Sequence, residues 1–106
     1  VELEIYWTAF AENELYKIFK YYLDEAGYRV AKNLVDGIYN EPFKLINHPE
    51  IGQEEDLLKH RPVEFRYLLY KKNYKIIYST NHQVSRIEIY DVFDVRQYPL
   101  KITRTK

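Results

Sequence analysis

The chain has no cysteine. That excludes a disulfide framework, a thiolate nucleophile and a thiolate metal site, and it fits a reducing cytoplasm. Glycine is scarce, limited to Gly27, Gly37 and Gly52, so neither a glycine-rich phosphate loop nor a Gly-x-Ser-x-Gly elbow can be assembled. Long apolar runs are lacking as well. Tyr67-Leu68-Leu69-Tyr70 and Ile76-Ile77-Tyr78 are among the longest, against about 20 residues for a membrane span. No signal-peptide core is expected either, so the sequence reads as cytoplasmic with no membrane partner. His48, His60 and His82 fall in loop-like segments without metal-ligand spacing, and neither a metal nor a cofactor is expected. The Glu54-Glu55-Asp56 run reads as solvated loop charge rather than a carboxylate site.

What is present is globular composition. The 106 residues are 46% apolar and 30% charged, enough for one self-folding domain over residues 1–106. Net charge is zero, which gives no overall signal for nucleic acid, but the charge is divided. Residues 1–56 hold 5 Lys/Arg and 12 Asp/Glu, net −7; residues 57–106 hold 11 and 4, net +7. Such a division produces a positive face only if the second half forms a contiguous layer.

Leu3, Ile5 and Trp7 alternate with Glu2, Glu4 and Tyr6, the period of a half-buried strand. Thr8 is placed to cap a helix whose stripe is Ala11, Leu15, Ile18, Phe19, Tyr22 and Ala26, closed by Gly27. A second amphipathic run from Tyr28 carries Val30, Ala31, Leu34, Val35 and Ile38, with Pro42 kinking or ending it. Asn47 to Pro62 reads as an irregular connector, with room for a helical turn around Leu57. Glu64–Tyr70 and Tyr74–Ser79, separated by Lys71-Lys72-Asn73, form a hairpin signature. Val84–Phe93 is the last strand, with Ile87, Ile89 and Asp91 expected on one face and Arg86, Glu88 and Tyr90 on the other. Asp94–Lys106 reads as a polar tail. The expected class is α+β, in the order β-α-α-β-β-β, with a helical hairpin packed on a mainly antiparallel sheet.

Alternation puts Arg66, Leu68 and Tyr70 on one face of the hairpin's first strand, and Lys75 opposite Tyr74, Ile76 and Tyr78 in its second. Register is open at this level. One register brings Arg66 and Lys75 to a common surface, with Arg96 arriving from the end of the last strand, a cluster sized for a phosphate. The alternative is that these cations occupy a solvated face and that the tyrosines are packing residues.

Taken in order, Ile5-Tyr6-Trp7-Thr8, Ala11 through Tyr22, the Asn47-His48-Pro49-Glu50-Ile51-Gly52 turn, Phe65-Arg66-Tyr67-Leu68-Leu69-Tyr70, Tyr74-Lys75-Ile76-Ile77-Tyr78 and Val92-Phe93-Asp94-Val95-Arg96-Gln97 resemble the RelE/ParE superfamily. These are toxins of type II toxin–antitoxin systems, also known as plasmid stabilisation proteins. The resemblance covers nearly the whole chain and implies a helical hairpin on a curved antiparallel sheet.

It also implies one of two modes of bacterial growth inhibition. RelE-like members cut messenger RNA on the ribosome as metal-independent endoribonucleases; ParE-like members poison DNA gyrase and lack the nuclease residues. If the chain is a nuclease, the resemblance assigns catalysis to Arg66, Lys75 and Arg96, the last near the basic end of the final strand. Leu68 stands where a further cation is common, Phe93 and Asp94 stand near positions often Gly, His or basic, and Tyr98 is the only late tyrosine. Together with a sequence pI near 7.0, these departures favour the ParE-like branch. The implied partners are a cognate antitoxin, whose disordered segment folds on contact, and either gyrase or the ribosome with its message. A chain that only binds its antitoxin, without toxicity, is a third reading.

Overall fold

A computed structural model describes residues 2–105; Val1 and Lys106, the ends of the expected domain and tail, lie outside the described residues. The elements are β1 (Glu4–Trp7), α1 (Ala9–Ala26), α2 (Tyr28–Asn40), β2 (Gln53–Glu54), β3 (Arg66–Tyr70), β4 (Tyr74–Asn81) and β5 (Arg86–Asp94). Short 3-10 turns occupy Glu41–Leu45, Asp56–Leu58 and Pro99–Arg104.

The helical hairpin follows its sequence signals. The Thr8 hydroxyl accepts the Ala11 amide at 3.1 Å, satisfying one of the open donors of the first turn of α1. Gly27 has φ +92° and ψ 170°, a backbone region essentially reserved for glycine, and its amide bonds the Tyr22 and Leu23 carbonyls. The chain can therefore reverse in one residue, and α2 starts at once. Pro42 has no amide to donate, and the chain passes from α2 into the 3-10 turn of Glu41–Leu45 rather than through a kink.

The sheet has the order β1-β5-β4-β3-β2. β1 lies parallel to β5, with Ile5 opposite Ile87 and Trp7 opposite Ile89; the other neighbours are antiparallel. β2 was not expected. It lies in the connector and pairs Gln53 with Tyr67 and Glu54 with Arg66; two residues carry no readable periodicity. The helical turn at Leu57 is present.

Both faces of the sheet are covered. On the helix side, Ala11 of α1 and Ile38 of α2 pack with Trp7, Leu45, Leu68, Tyr74, Ile76, Tyr78, Ile87, Ile89 and Val92. On the opposite face Phe65, Ile77 and Phe93 pack with Leu58 and Ile102 from the 3-10 turns. Two covered faces explain why Ile76-Ile77-Tyr78 is apolar at consecutive positions, since at the middle of β4 both faces point into a core.

Two expectations are corrected. Asp91 does not share the face of Ile87 and Ile89. Ile77 pairs with Asp91 but Tyr78 pairs with Ile89, so Tyr90 is an extra, bulged residue and everything after it changes parity. Asp91 is thereby turned to the Ile77 face. The residues after Asp94 are not simply a polar tail, because Pro99–Arg104 is a 3-10 turn that buries Ile102 completely.

Candidate functional site

The register of the hairpin decides the fate of the expected cation cluster. Arg66 pairs with Tyr78 and Leu68 with Ile76, so Arg66 is on the helix-side face. Lys75 pairs with Phe93 and belongs to the opposite face. The arrangement that puts Arg66 and Lys75 on one surface is therefore not the one adopted. Each is also committed locally. Arg66 donates to the Glu64 carboxylate at 3.1 Å and to the Gly52 carbonyl at 2.8 Å. The Lys75 ammonium lies 2.6 Å from Glu55, which is 4% exposed, and 4.3 Å above the Tyr67 ring.

Arg96 stands apart from both. It follows β5 and lines a cavity of about 470 Å³ between α1 and the end of the β4–β5 pair. Its Nε and Nη2 take the two oxygens of Asp94 at 2.9 and 2.8 Å, a bidentate clamp. The same guanidinium donates to the hydroxyls of Tyr74 and Tyr22 at 3.3 and 3.5 Å, and the Tyr74 hydroxyl donates to Tyr22 at 3.3 Å. The two phenols are driven apart. The hydrogen bond from Tyr74, then that from Arg96, pulls the Tyr22 pKa down, whereas burial and the bond to Tyr22 push Tyr74 up. The Arg96 guanidinium holds Asp94 below the usual carboxylate range.

Arg104 lines the same cavity. β1 ends opposite Ile89, leaving the later half of β5 without a strand on that side. Arg104 fills the gap: its Nη2 donates to the Val92 carbonyl at 3.3 Å and to Asp91 at 3.0 Å and lies 3.1 Å from Glu14 of α1. Asp91, fully buried, also accepts from Arg104 Nε at 3.1 Å and from the Thr105 hydroxyl at 2.8 Å. The sequence reading missed Arg104, Asp91 and Glu14 as a unit, because ion pairs between a helix, a strand and a tail leave no local spacing. Ile102 within the tail was the available signal that the segment packs. Tyr98, by contrast, is 65% exposed.

The charge division is consequently folded onto itself. Acidic residues of the first half meet cations of the second in Glu54–Arg66, Glu55–Lys75 and Glu14–Arg104. Among the described residues, no group of three or more His, Asp or Glu could hold a metal ion, and no helix is long and apolar enough to cross a membrane.

Residues 5–98 match the family described as ParE toxin of type II toxin-antitoxin system, parDE. No curated protein sequence matches the chain. Among solved structures it is similar to a chain of the chromosomal ParDE TA system from P. aeruginosa, with a TM-score of 0.71 and 18% identity over 87% of this chain and 95% of that one. A chain of the toxin-antitoxin complex RelBE2 from Mycobacterium tuberculosis is similar with a TM-score of 0.52 and 15% identity, over 89% of this chain and 99% of that one. At such identities the likeness to these structures is one of fold.

Proposed function

The chain belongs to the ParE toxin family of type II toxin–antitoxin systems, and on that premise we propose that it arrests bacterial growth from the cytoplasm by poisoning DNA gyrase until a cognate antitoxin neutralises it. The observation that carries the choice of target is the separation of Arg66 and Lys75 onto opposite faces of the sheet. Metal-independent cleavage of RNA rests on cations and proton carriers converging on one phosphate. Here two of the three candidate cations face away from each other and are held by carboxylates. A protein-binding poison needs no such convergence.

Antitoxin capture is supported less by charge than by apolar surface, since Arg66, Lys75, Arg96 and Arg104 of the basic half are paired within the chain. An apolar groove of about 290 Å³ runs between the helices, lined by Trp7, Leu15, Tyr16, Phe19, Val35 and Tyr39. Tyr16 and Tyr39 are exposed at its rim. It suits an amphipathic segment that folds on contact.

The test uses purified components. Added to gyrase, the chain is expected to block supercoiling and accumulate cleavage complexes; added to ribosomes carrying message, it leaves the message intact. Gyrase untouched at excess toxin, with message cut, overturns the reading in favour of ribonuclease action through Arg66, Lys75 and Arg96. In cells, induction without the antitoxin stops thymidine incorporation before amino-acid incorporation, and co-expression of the antitoxin restores growth.

A further inference from the structure

The cavity between α1 and the end of β4–β5 is lined by charged and polar side chains, unlike the apolar groove between the helices. Three cationic side chains from two regions of the chain line it: Lys17 from α1, and Arg96 and Arg104 from the segment after β5. Their protein partners leave specific donors open. Arg96 holds Asp94 through Nε and Nη2, and Arg104 holds Asp91 and Glu14 through Nε and Nη2. The Nη1 group of each has no partner among the described residues. Lys17 has a single partner, Glu14 at 3.0 Å, and is otherwise exposed.

Carboxylates that grip a guanidinium by one edge stop it from swinging and leave the remaining amino group presented, which lowers the ordering cost of binding an anion. The two free Nη1 groups and the ammonium together offer about six N–H donors. That is more than the two oxygens of a carboxylate use well, and it suits the three terminal oxygens of a phosphate monoester.

Besides the cations and the Glu14 and Asp94 carboxylates that hold them, the walls are Ile18, Val92, Gln97 and three tyrosines. Tyr21 and Tyr22 of α1 meet edge to face at 5.0 Å, Tyr21 is 59% exposed, and Tyr74 closes the inner side. A cavity of about 470 Å³ is larger than a phosphate needs and falls in the range of small-molecule sites. An exposed tyrosine ring beside an anion site is a stacking surface for a base.

We propose that this cavity binds a nucleoside monophosphate, its phosphate held by Arg96, Arg104 and Lys17 and its base stacked on Tyr21. The occupant is a free mononucleotide rather than a substrate strand, because the two strand cations that would extend the site along a backbone are paired elsewhere. Arg66 is tied to Glu64 and Lys75 to Glu55 on the far face. The Tyr22 hydroxyl, already polarised by Arg96 and Tyr74, is placed to bond the ribose or a phosphate oxygen.

Calorimetric titration of the intact chain with AMP, adenosine and inorganic phosphate tests this. Saturable AMP binding is expected, with adenosine and phosphate each weaker by about tenfold or more, because neither fills both halves of the site. Arg96→Gln weakens AMP by about tenfold, the loss expected of a charge-assisted hydrogen bond. Tyr21→Ala, at an exposed position that spares the fold, weakens AMP by about tenfold and leaves phosphate binding unchanged. No saturable heat with AMP at millimolar concentration overturns the proposal, as does AMP binding no tighter than phosphate or indifferent to both substitutions. Because the readout is binding alone, a failure here leaves the gyrase assay untouched, and a failure there leaves this site standing.

Discussion

Tyr78, at the centre of β4, holds Gly52 through its phenol oxygen, which accepts the Gly52 amide at 3.0 Å. The same hydroxyl donates to the Pro49 carbonyl at 2.7 Å. One fully buried side chain thus satisfies two backbone groups of the Asn47–Gly52 turn, and that turn delivers β2 to the edge of β3. A β-carbon at Gly52 would lie 2.5 Å from the Tyr78 hydroxyl and 2.7 Å from the Tyr67 carbonyl, so the position admits only glycine without movement of β3.

Tyr78→Phe is expected to lower stability by about 1–3 kcal/mol, the cost of leaving buried partners unbonded. Gly52→Ala should cost a similar amount by crowding β3. Urea unfolding midpoints check both. An unchanged midpoint for Tyr78→Phe would mean that water replaces the hydroxyl and that packing alone seats the turn.

Alkaline pH should destabilise the fold. Burial raises the pKa of Tyr74, Tyr78 and Tyr90, with the neighbouring Tyr22 hydroxyl adding to the first and the Glu88 carboxylate to the third. A phenol raised in the folded state contributes stability that is fully present below its ordinary value, near 10.0, and is lost as the pH climbs toward the folded value. Tyr22 runs the other way: its lowered pKa adds stability as it ionises. Three against one, the melting temperature should fall once the pH passes about 10. In a phenolate absorbance titration, Tyr22→Phe should delete an early step; loss of a late step instead would reverse the assignment of the pair.

How far the fold was legible depended on whether the cause was local. Thr8, Gly27 and Pro42 each act within a turn of their own position, and the helical hairpin follows from them. The order of strands was readable because aromatic and β-branched runs are separated by turn residues. What was not readable was parity. The bulge at Tyr90 moves Asp91 to the other face, and the hairpin register separates Arg66 from Lys75; both are decided by pairing partners far away in sequence. The pairing of Arg104 with Glu14 joins residues 90 positions apart and leaves no trace in spacing.

The β3–β4 turn is open to improvement. Lys71 and Lys72 have φ +48° and +65°, and the Asn73 amide bonds the Tyr70 carbonyl at 3.1 Å. Two consecutive left-handed residues fit the type of turn in which Asn-Gly is preferred and lysine is strained. Lys71→Asn with Lys72→Gly should raise stability by about 0.5–1 kcal/mol. Thermal melts of the double variant check this. A lower melting temperature would show that the lysine pair supports the turn by other means, such as the Lys71 ammonium 5.6 Å from the Tyr70 ring.

The segment after β5 should behave as part of the core. Ile102 is fully buried against Ile77 and Phe93, and the Arg61 guanidinium clamps the Thr103 and Thr105 carbonyls. Arg104 pairs with Asp91, which is fully buried. Ile102→Ala is therefore expected to cost about 2–5 kcal/mol, the range for emptying a buried branched side chain. Arg104→Met should cost about 3 kcal/mol because it leaves a buried carboxylate with only the Thr105 hydroxyl, and restoring neutrality with Asp91→Asn in the same chain should recover part of that loss. The recovery separates the two possible roles of Arg104. If Arg104 acts only as packing for Phe10 and Phe93, whose rings lie 5.8 and 5.4 Å from its guanidinium carbon, Asp91→Asn will add to the damage instead of relieving it.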